Sequence, residues 1–187
     1  MPKRSRKSTE LRPTQGIVQK SLLDILRPKL PGVNFLDLFA GTGQIGFSAL
    51  EFGARKAVLV ENSTRQLKIL RETLEKKGWQ TKAEIYPQAV ETMLGKLKEN
   101  FDLIFIDPPY DLSLGFPTLK AVIQNRLLAD DGWVIVEHRK NDLLPEQVDN
   151  LSKFREKIFG QTVLSFYRQE ENAAIGNQRE NNLEEPL

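Results

Sequence analysis

The sequence predicts an α/β fold, a doubly wound, mostly parallel seven-stranded sheet that closes with a C-terminal antiparallel hairpin. Three observations carry that expectation. Short apolar runs alternate with helix-like segments along most of the chain, as repeated strand–helix units do. A glycine-rich turn, Gly41-Thr42-Gly43-Gln44-Ile45-Gly46, follows the first apolar run. A later run, Phe101-Asp102-Leu103-Ile104-Phe105-Ile106, has the near-continuous apolar character of a strand buried on both faces.

The elements follow in order. A helix is predicted over Thr14–Leu26, after Pro13 and before Arg27-Pro28. Strand Val33–Leu38, helix Gln44–Phe52, strand Ala57–Val60 and helix Thr64–Lys77 come next, with Gly78 as the left-handed residue that ends the last helix. A strand at Ala83–Tyr86 and a helix at Ala89–Leu97 lead to the strand at 101–106. Pro117 belongs in the first turn of a helix running to about Leu127. Asp130-Asp131-Gly132 turns into strand Trp133–Glu137, and Phe154–Ile158 with Thr162–Tyr167 reads as a hairpin through Phe159-Gly160-Gln161.

Composition narrows the function classes. With 187 residues and 40% hydrophobic content the chain fits one domain with a sizeable core. Lacking cysteine, it has no disulfide framework, thiol nucleophile or thiolate zinc site. Neither a signal peptide nor a membrane-length apolar stretch is present, so a cytoplasmic protein without membrane contact is expected. Residues 1–12 set five cations against Glu10, and residues 169–187 set five glutamates against Arg179. A flexible basic arm over 1–10, a globular domain over 11–168 and a disordered acidic tail over 169–187 are expected. The basic arm favours a polyanionic partner, with a solvated terminus as its plain alternative.

Two motifs carry chemistry. At Asp107-Pro108-Pro109-Tyr110 neither proline has an N–H to donate, so the strand ends in a carboxylate and carbonyl acceptors beside an aromatic ring. That combination receives a planar group bearing an NH2, such as a nucleobase amine. In the other motif, Gly41 and Gly43 allow a tight turn and close approach to a ligand, while Gly46 lets the next helix press on the sheet. Glu61, ending the second strand, is placed to hold ribose hydroxyls. The glycine pattern alone fits NAD equally well. Asp37 at the cleft mouth shifts the balance to S-adenosylmethionine, because a carboxylate repels a pyrophosphate but favours an ammonium. The strand order then sets the amine receptor beside the glycine loop.

On these residues the chain resembles the class I methyltransferases, whose fold is Rossmann-like, and within them the RsmD-type family that methylates guanine N2 in small-subunit ribosomal RNA. Matching segments are Leu11-Arg12-Pro13-Thr14, Phe35–Gly46 with Glu61, Phe101–Tyr110, and Gly160–Tyr167. The resemblance implies that Asp107, Pro108, Pro109 and Tyr110 hold and stack the flipped base. It implies cofactor contacts from Asp37, Phe39, Ala40, Gly41, Thr42, Gly43, Gly46, Glu61, Asn62, Gln88 and Ala89. RNA contacts are expected from Lys3, Arg4, Arg6, Lys7, Arg12 and Thr14. The implied partner is ribosomal RNA or the assembling small subunit, met by a monomer without a metal. Departures are a shortened basic element before Leu11, Gln15-Gly16-Ile17 where the family tends to be charged, and Gln88 where Asp or Asn often meets the adenine.

Plainer readings stand beside these. Asp37 could cap a neighbouring helix, and Glu61 could serve the N-terminus of helix 64–77. His138, Trp79 and Trp133 are expected to be structural, and Arg65, Lys68, Arg71, Lys76 and Lys77 to form a solvated helix face. An adenine-N6 DNA methyltransferase, a protein-glutamine methyltransferase and a non-catalytic nucleotide- or RNA-binding module are the rival functions.

Overall fold

A computed structural model describes residues 15–109 and 114–170. Helix α1 (Gln15–Leu26) passes through a 3-10 turn at Arg27–Lys29 to β1 (Asn34–Leu38). Then come α2 (Gln44–Glu51), β2 (Lys56–Glu61), α3 (Thr64–Lys77), β3 (Ala83–Pro87), α4 (Val90–Leu94) and β4 (Phe101–Ile106). The chain continues through α5 (Gly115–Gln124), β5 (Leu128–Arg139), β6 (Gln147–Val148), β7 (Leu151–Phe159) and β8 (Thr162–Gln169). The expected helix at 64–77 has those bounds, and Gly78 follows it at φ 67°.

The strands form one eight-stranded sheet in the order β3-β2-β1-β4-β5-β8-β7-β6. β1 to β5 pair in parallel, whereas β8 runs antiparallel to β5 and to β7. The sheet thus has one strand more than the expected seven; the extra one, Gln147–Val148, is a two-residue edge pairing with β7. β7 and β8 turn over through left-handed Gly160. The expected turn at Asp130-Asp131-Gly132 lies inside β5, where partners jump from Phe101↔Leu128 to Leu103↔Trp133. The surplus residues leave the ladder, which then resumes. α4 is shorter than the expected helix at 89–97, because Gly95 closes it.

Strand alternation divides the core into two layers. Leu36, Leu38, Val58, Val60, Ile104, Ile106, Val134 and Val136 face α4 and α5, packing on Val90, Met93, Leu119 and Val122. Phe35, Leu59, Leu103, Phe105 and Ile135 face α1, α2 and α3, packing on Leu22, Leu26, Phe47 and Leu70. Trp133 stacks within 4.8 Å of Phe154, and Trp79 lies 5.8 Å from Phe47, so both tryptophans pack as expected. His138 is buried, with Nε2 2.9 Å from the Ser165 hydroxyl and Nδ1 2.9 Å from the Arg139 carbonyl. On α3, Lys68 faces exposed Glu72, and Lys77 reaches Glu51 of α2. No helix among the described residues is long and apolar enough to cross a membrane.

Candidate active site

The sheet order fixes the site. β1 leads through α2 to β2 on one side, whereas β4 joins β1 on the other. Connections therefore leave β1 and β4 in opposite directions, and a crevice opens between their carboxyl ends. Leu38 pairs with Ile106, and the Asp107 N–H lies 3.4 Å from the Leu38 carbonyl. The glycine turn and Asp107-Pro108-Pro109 are consequently neighbours. Glu61 pairs with Pro87, so Gln88 and Ala89 continue the same rim beyond β2.

The glycine turn is held by its backbone. Ala40 donates to the Val60 carbonyl at 3.0 Å and Gly43 to the Ala40 carbonyl at 2.7 Å. Phe39 takes φ 65°, which is costly for an aromatic residue and persists only where its surroundings impose it. Gly41 has φ 56° and an added Cβ there would meet nothing within 4 Å, so that face of the turn is open. Gly43 differs: at φ 77° its Cβ would run into the Leu70 side chain and to 2.7 Å from the Phe47 ring. Thr42 is exposed at the tip.

Asp37 lies beneath this turn, 2% exposed, its Oδ2 accepting the Gly46 N–H at 2.9 Å. It therefore does bond the first turn of α2. A Cβ at Gly46 would come to 3.0 Å from that oxygen, so glycine is what admits the contact. Burial pushes the Asp37 carboxyl up to about 7, against the lowering pull of the Gly46 N–H and with a further push from Glu61. Glu61 is itself tied by backbone donors. Its Oε2 accepts the Gly41 N–H at 2.8 Å, and its Oε1 accepts those of Asn62 and Ser63 at 2.9 and 2.7 Å. A carboxylate has about four acceptor positions, so one remains. The helix-terminus reading of Glu61 thus has a geometric basis, and one acceptor position is left for a single ribose hydroxyl rather than two. Asn62 is exposed, while the Gln88 amide oxygen accepts from Lys96 at 2.8 Å and Ala89 caps α4.

Asp107 is half-buried, Pro108 buried and Pro109 exposed. Burial raises the Asp107 carboxyl to about 8, and the negative charges of Glu137 and Asp37 add to the effect. From the sequence Glu137 is the end of a core strand and nothing more. A carboxylate closing an otherwise apolar run was the signal for it. Pro108 and Pro109 border a pocket of about 150 Å³ with Leu114, Phe116, Glu137 and Leu143. Tyr110, together with Lys3, Arg4, Arg6, Lys7, Arg12 and Thr14, lies outside the described residues.

A mixed sheet in this order, parallel from β1 to β5 and closed by an antiparallel hairpin, with a glycine turn after β1 and a carboxylate ending β2, is the class I methyltransferase fold. The fold of the S-adenosylhomocysteine-bound Podospora anserina methyltransferase PaMTH1 is similar, with a TM-score of 0.66 at 16% identity over 83% of this chain and 79% of that one. A conserved hypothetical protein of Streptococcus pyogenes superposes with a TM-score of 0.77 at 29% identity, covering 81% and 95%. Ribosomal RNA small subunit methyltransferase D of Escherichia coli K12 is 31% identical over 165 residues, 87% of this chain and 82% of that protein. The family described as "Conserved hypothetical protein 95" matches residues 4–168, and the chain belongs to it.

Proposed function

We propose that the protein transfers a methyl group from S-adenosylmethionine to the exocyclic N2 amine of a guanine in small-subunit ribosomal RNA. One observation carries the reading: the amine acceptors after β4 adjoin the open glycine turn after β1, because those two strands pair. The family and the rRNA methyltransferase relative support it. The residues present suit the cofactor. An open Gly41 face, a Glu61 carboxylate with an acceptor position to spare and the buried Asp37 carboxyl, which a bound cation would help to ionise, suit a nucleoside carrying positive charge.

Bound there, S-adenosylmethionine supplies an electrophilic methyl group on a sulfonium. The chain's own part is orientation. An aromatic amine is a poor nucleophile because its lone pair is delocalised into the ring. Asp107 and the Pro108 carbonyl accept its two N–H groups and draw the nitrogen towards a tetrahedral shape, freeing the lone pair. The proton then lost from the amine passes to water. Tyr110 is assigned the stacking role on the flipped base. Glu61 and Asn62 are assigned to the ribose, Gln88 and Ala89 to the adenine, and the turn at Phe39–Gly43 to the amino-acid moiety. Basic residues 3–12 with Thr14 are assigned to the phosphates. The chemistry needs no metal ion, a single chain carries every group named, and the cytoplasm, where small subunits assemble, is the place of action.

The test is mass-spectrometric mapping of methylated nucleotides in small-subunit RNA from cells with and without the protein. Loss of one N2-methylguanosine, restored by purified protein with labelled cofactor, is the expected result. Loss of N6-methyladenosine from DNA would establish the rival enzyme, and cofactor binding without transfer would establish the idle module.

A further inference from the structure

Glu137 is a buried carboxylate, 6% exposed, to which the chemistry above gives no task. It follows Val134-Ile135-Val136, whose side chains are fully buried. Val136 pairs in parallel with Ile106, so Glu137 stands one residue further along, beside Asp107 on the adjoining strand. Neighbouring strands lie about 4.8 Å apart. Alternation puts both carboxylates on one face: Leu103, Phe105 and Ile135 belong to the layer against α1–α3, as Asp37 does by the same count. The charges register each other, for among the charged groups acting on Asp107 Glu137 ranks ahead of Asp37. Glu137 also borders the pocket that Pro108 and Pro109 line.

Two acceptors side by side recognise two donors side by side. Guanine presents that edge, since its N2 amine is flanked by the N1–H. The adenine N6 amine is flanked by a bare N1 and the cytosine N4 amine by a bare N3, and either lone pair faces a carboxylate with repulsion. We propose that Glu137 accepts the N1–H of the target guanine while Asp107 holds its N2 amine, which makes Glu137 the residue that selects guanine over adenine. The inference rests on the methyl-transfer reading above. It assigns specificity to rejection as much as to attraction, because the N1 lone pair of the wrong base meets a carboxylate where the N1–H of guanine would donate to it.

The experiment uses RNA containing the nucleotide mapped above, with guanine or 2-aminopurine at that position. 2-Aminopurine keeps the N2 amine but has a lone pair at N1 and no O6. For the unaltered protein, kcat/KM for guanine is expected to exceed that for 2-aminopurine by about 10- to 100-fold, the range of a charge-assisted hydrogen bond. Glu137→Gln, whose amide can donate to a bare N1, is expected to narrow the ratio about tenfold or more. Thermal unfolding and cofactor titration of the variant establish that its fold and donor site persist. The absence of O6 from 2-aminopurine is common to both proteins, so the change in ratio isolates the N1 contact. A ratio near one in the unaltered protein overturns the assignment even if the variant does not fold. An unchanged ratio in Glu137→Gln overturns it too, while leaving N2 transfer intact. Failure to methylate any guanine at N2 brings down the underlying reaction, and the role of Glu137 with it.

Discussion

In the proposed reaction Asp107 meets two demands at one residue: it would accept amine N–H groups as a carboxylate, and its surroundings resist ionisation. Asp107→Ala is expected to lower turnover by about 10²- to 10³-fold, the usual loss for one preorganised polar group, with cofactor affinity by calorimetry nearly unchanged. Because the carboxylate is the working form, kcat/KM should rise with pH through about 8; a flat profile from pH 6 to 9 would remove Asp107 as acceptor. Asp37 gives a stability counterpart. Its folded value, about 7, exceeds the ordinary 3.8, so between those pH values the folded state binds more protons than the unfolded one. Stability contributed at this residue therefore falls as pH rises from about 4 to about 7, and the whole loss is present above that. Asp37→Asn, whose amide oxygen can still accept the Gly46 N–H, should flatten that slope in thermal unfolding and be the more stable form at pH 8. A slope equal to that of the unaltered protein would show that Asp37 is not its source. The proximity of Asp107 to the glycine turn was legible because strand order follows from the chain's alternation. Glu61's three backbone bonds were not, since they depend on the path of the turn rather than on residue type.

At the scale of elements, the turn after β1 contains two glycines required for different reasons. Gly43→Ala forces a Cβ at φ 77° against Leu70 and Phe47, and a loss of about 1–3 kcal/mol in chemical denaturation is expected. Gly41→Ala meets open space, so its folding cost should be limited to the left-handed backbone, about 1–2 kcal/mol. Cofactor titration separates the pair: Gly41→Ala should lose affinity out of proportion to its stability, because the methyl occupies the open face. Equal affinity in Gly41→Ala and the unaltered chain would place the cofactor elsewhere. Long, strongly patterned elements such as α3 and the β7–β8 hairpin were readable from periodicity and from Gly78 and Gly160. The bulge at 129–132 was not, because a turn sequence inside a strand looks the same as a turn before one. β6 was missed as two residues carry no period at all.

Over the whole molecule, the sequence ends carry opposite net charge, with an excess of cations before residue 13 and of glutamates after residue 169. Removing residues 1–10 is expected to weaken RNA binding and to flatten the dependence of log K on log salt, by about one unit for each phosphate left without its cation. Identical salt slopes for the two forms would make the arm a passive tail. The two borders of the sheet have a consequence of another kind. One border is β3, five residues long and finished by Pro87; the other is the two-residue β6, beyond which β7 carries Arg155 and Lys157. An incoming strand would meet a missing donor at the first border, and at the second two cations, Arg155 over the Phe166 ring and Lys157 reaching the Ser21 hydroxyl. The protein is thus guarded against edge-to-edge fibril growth without having to close its sheet into a barrel, and replacing Arg155 and Lys157 with valine would remove half of that guard.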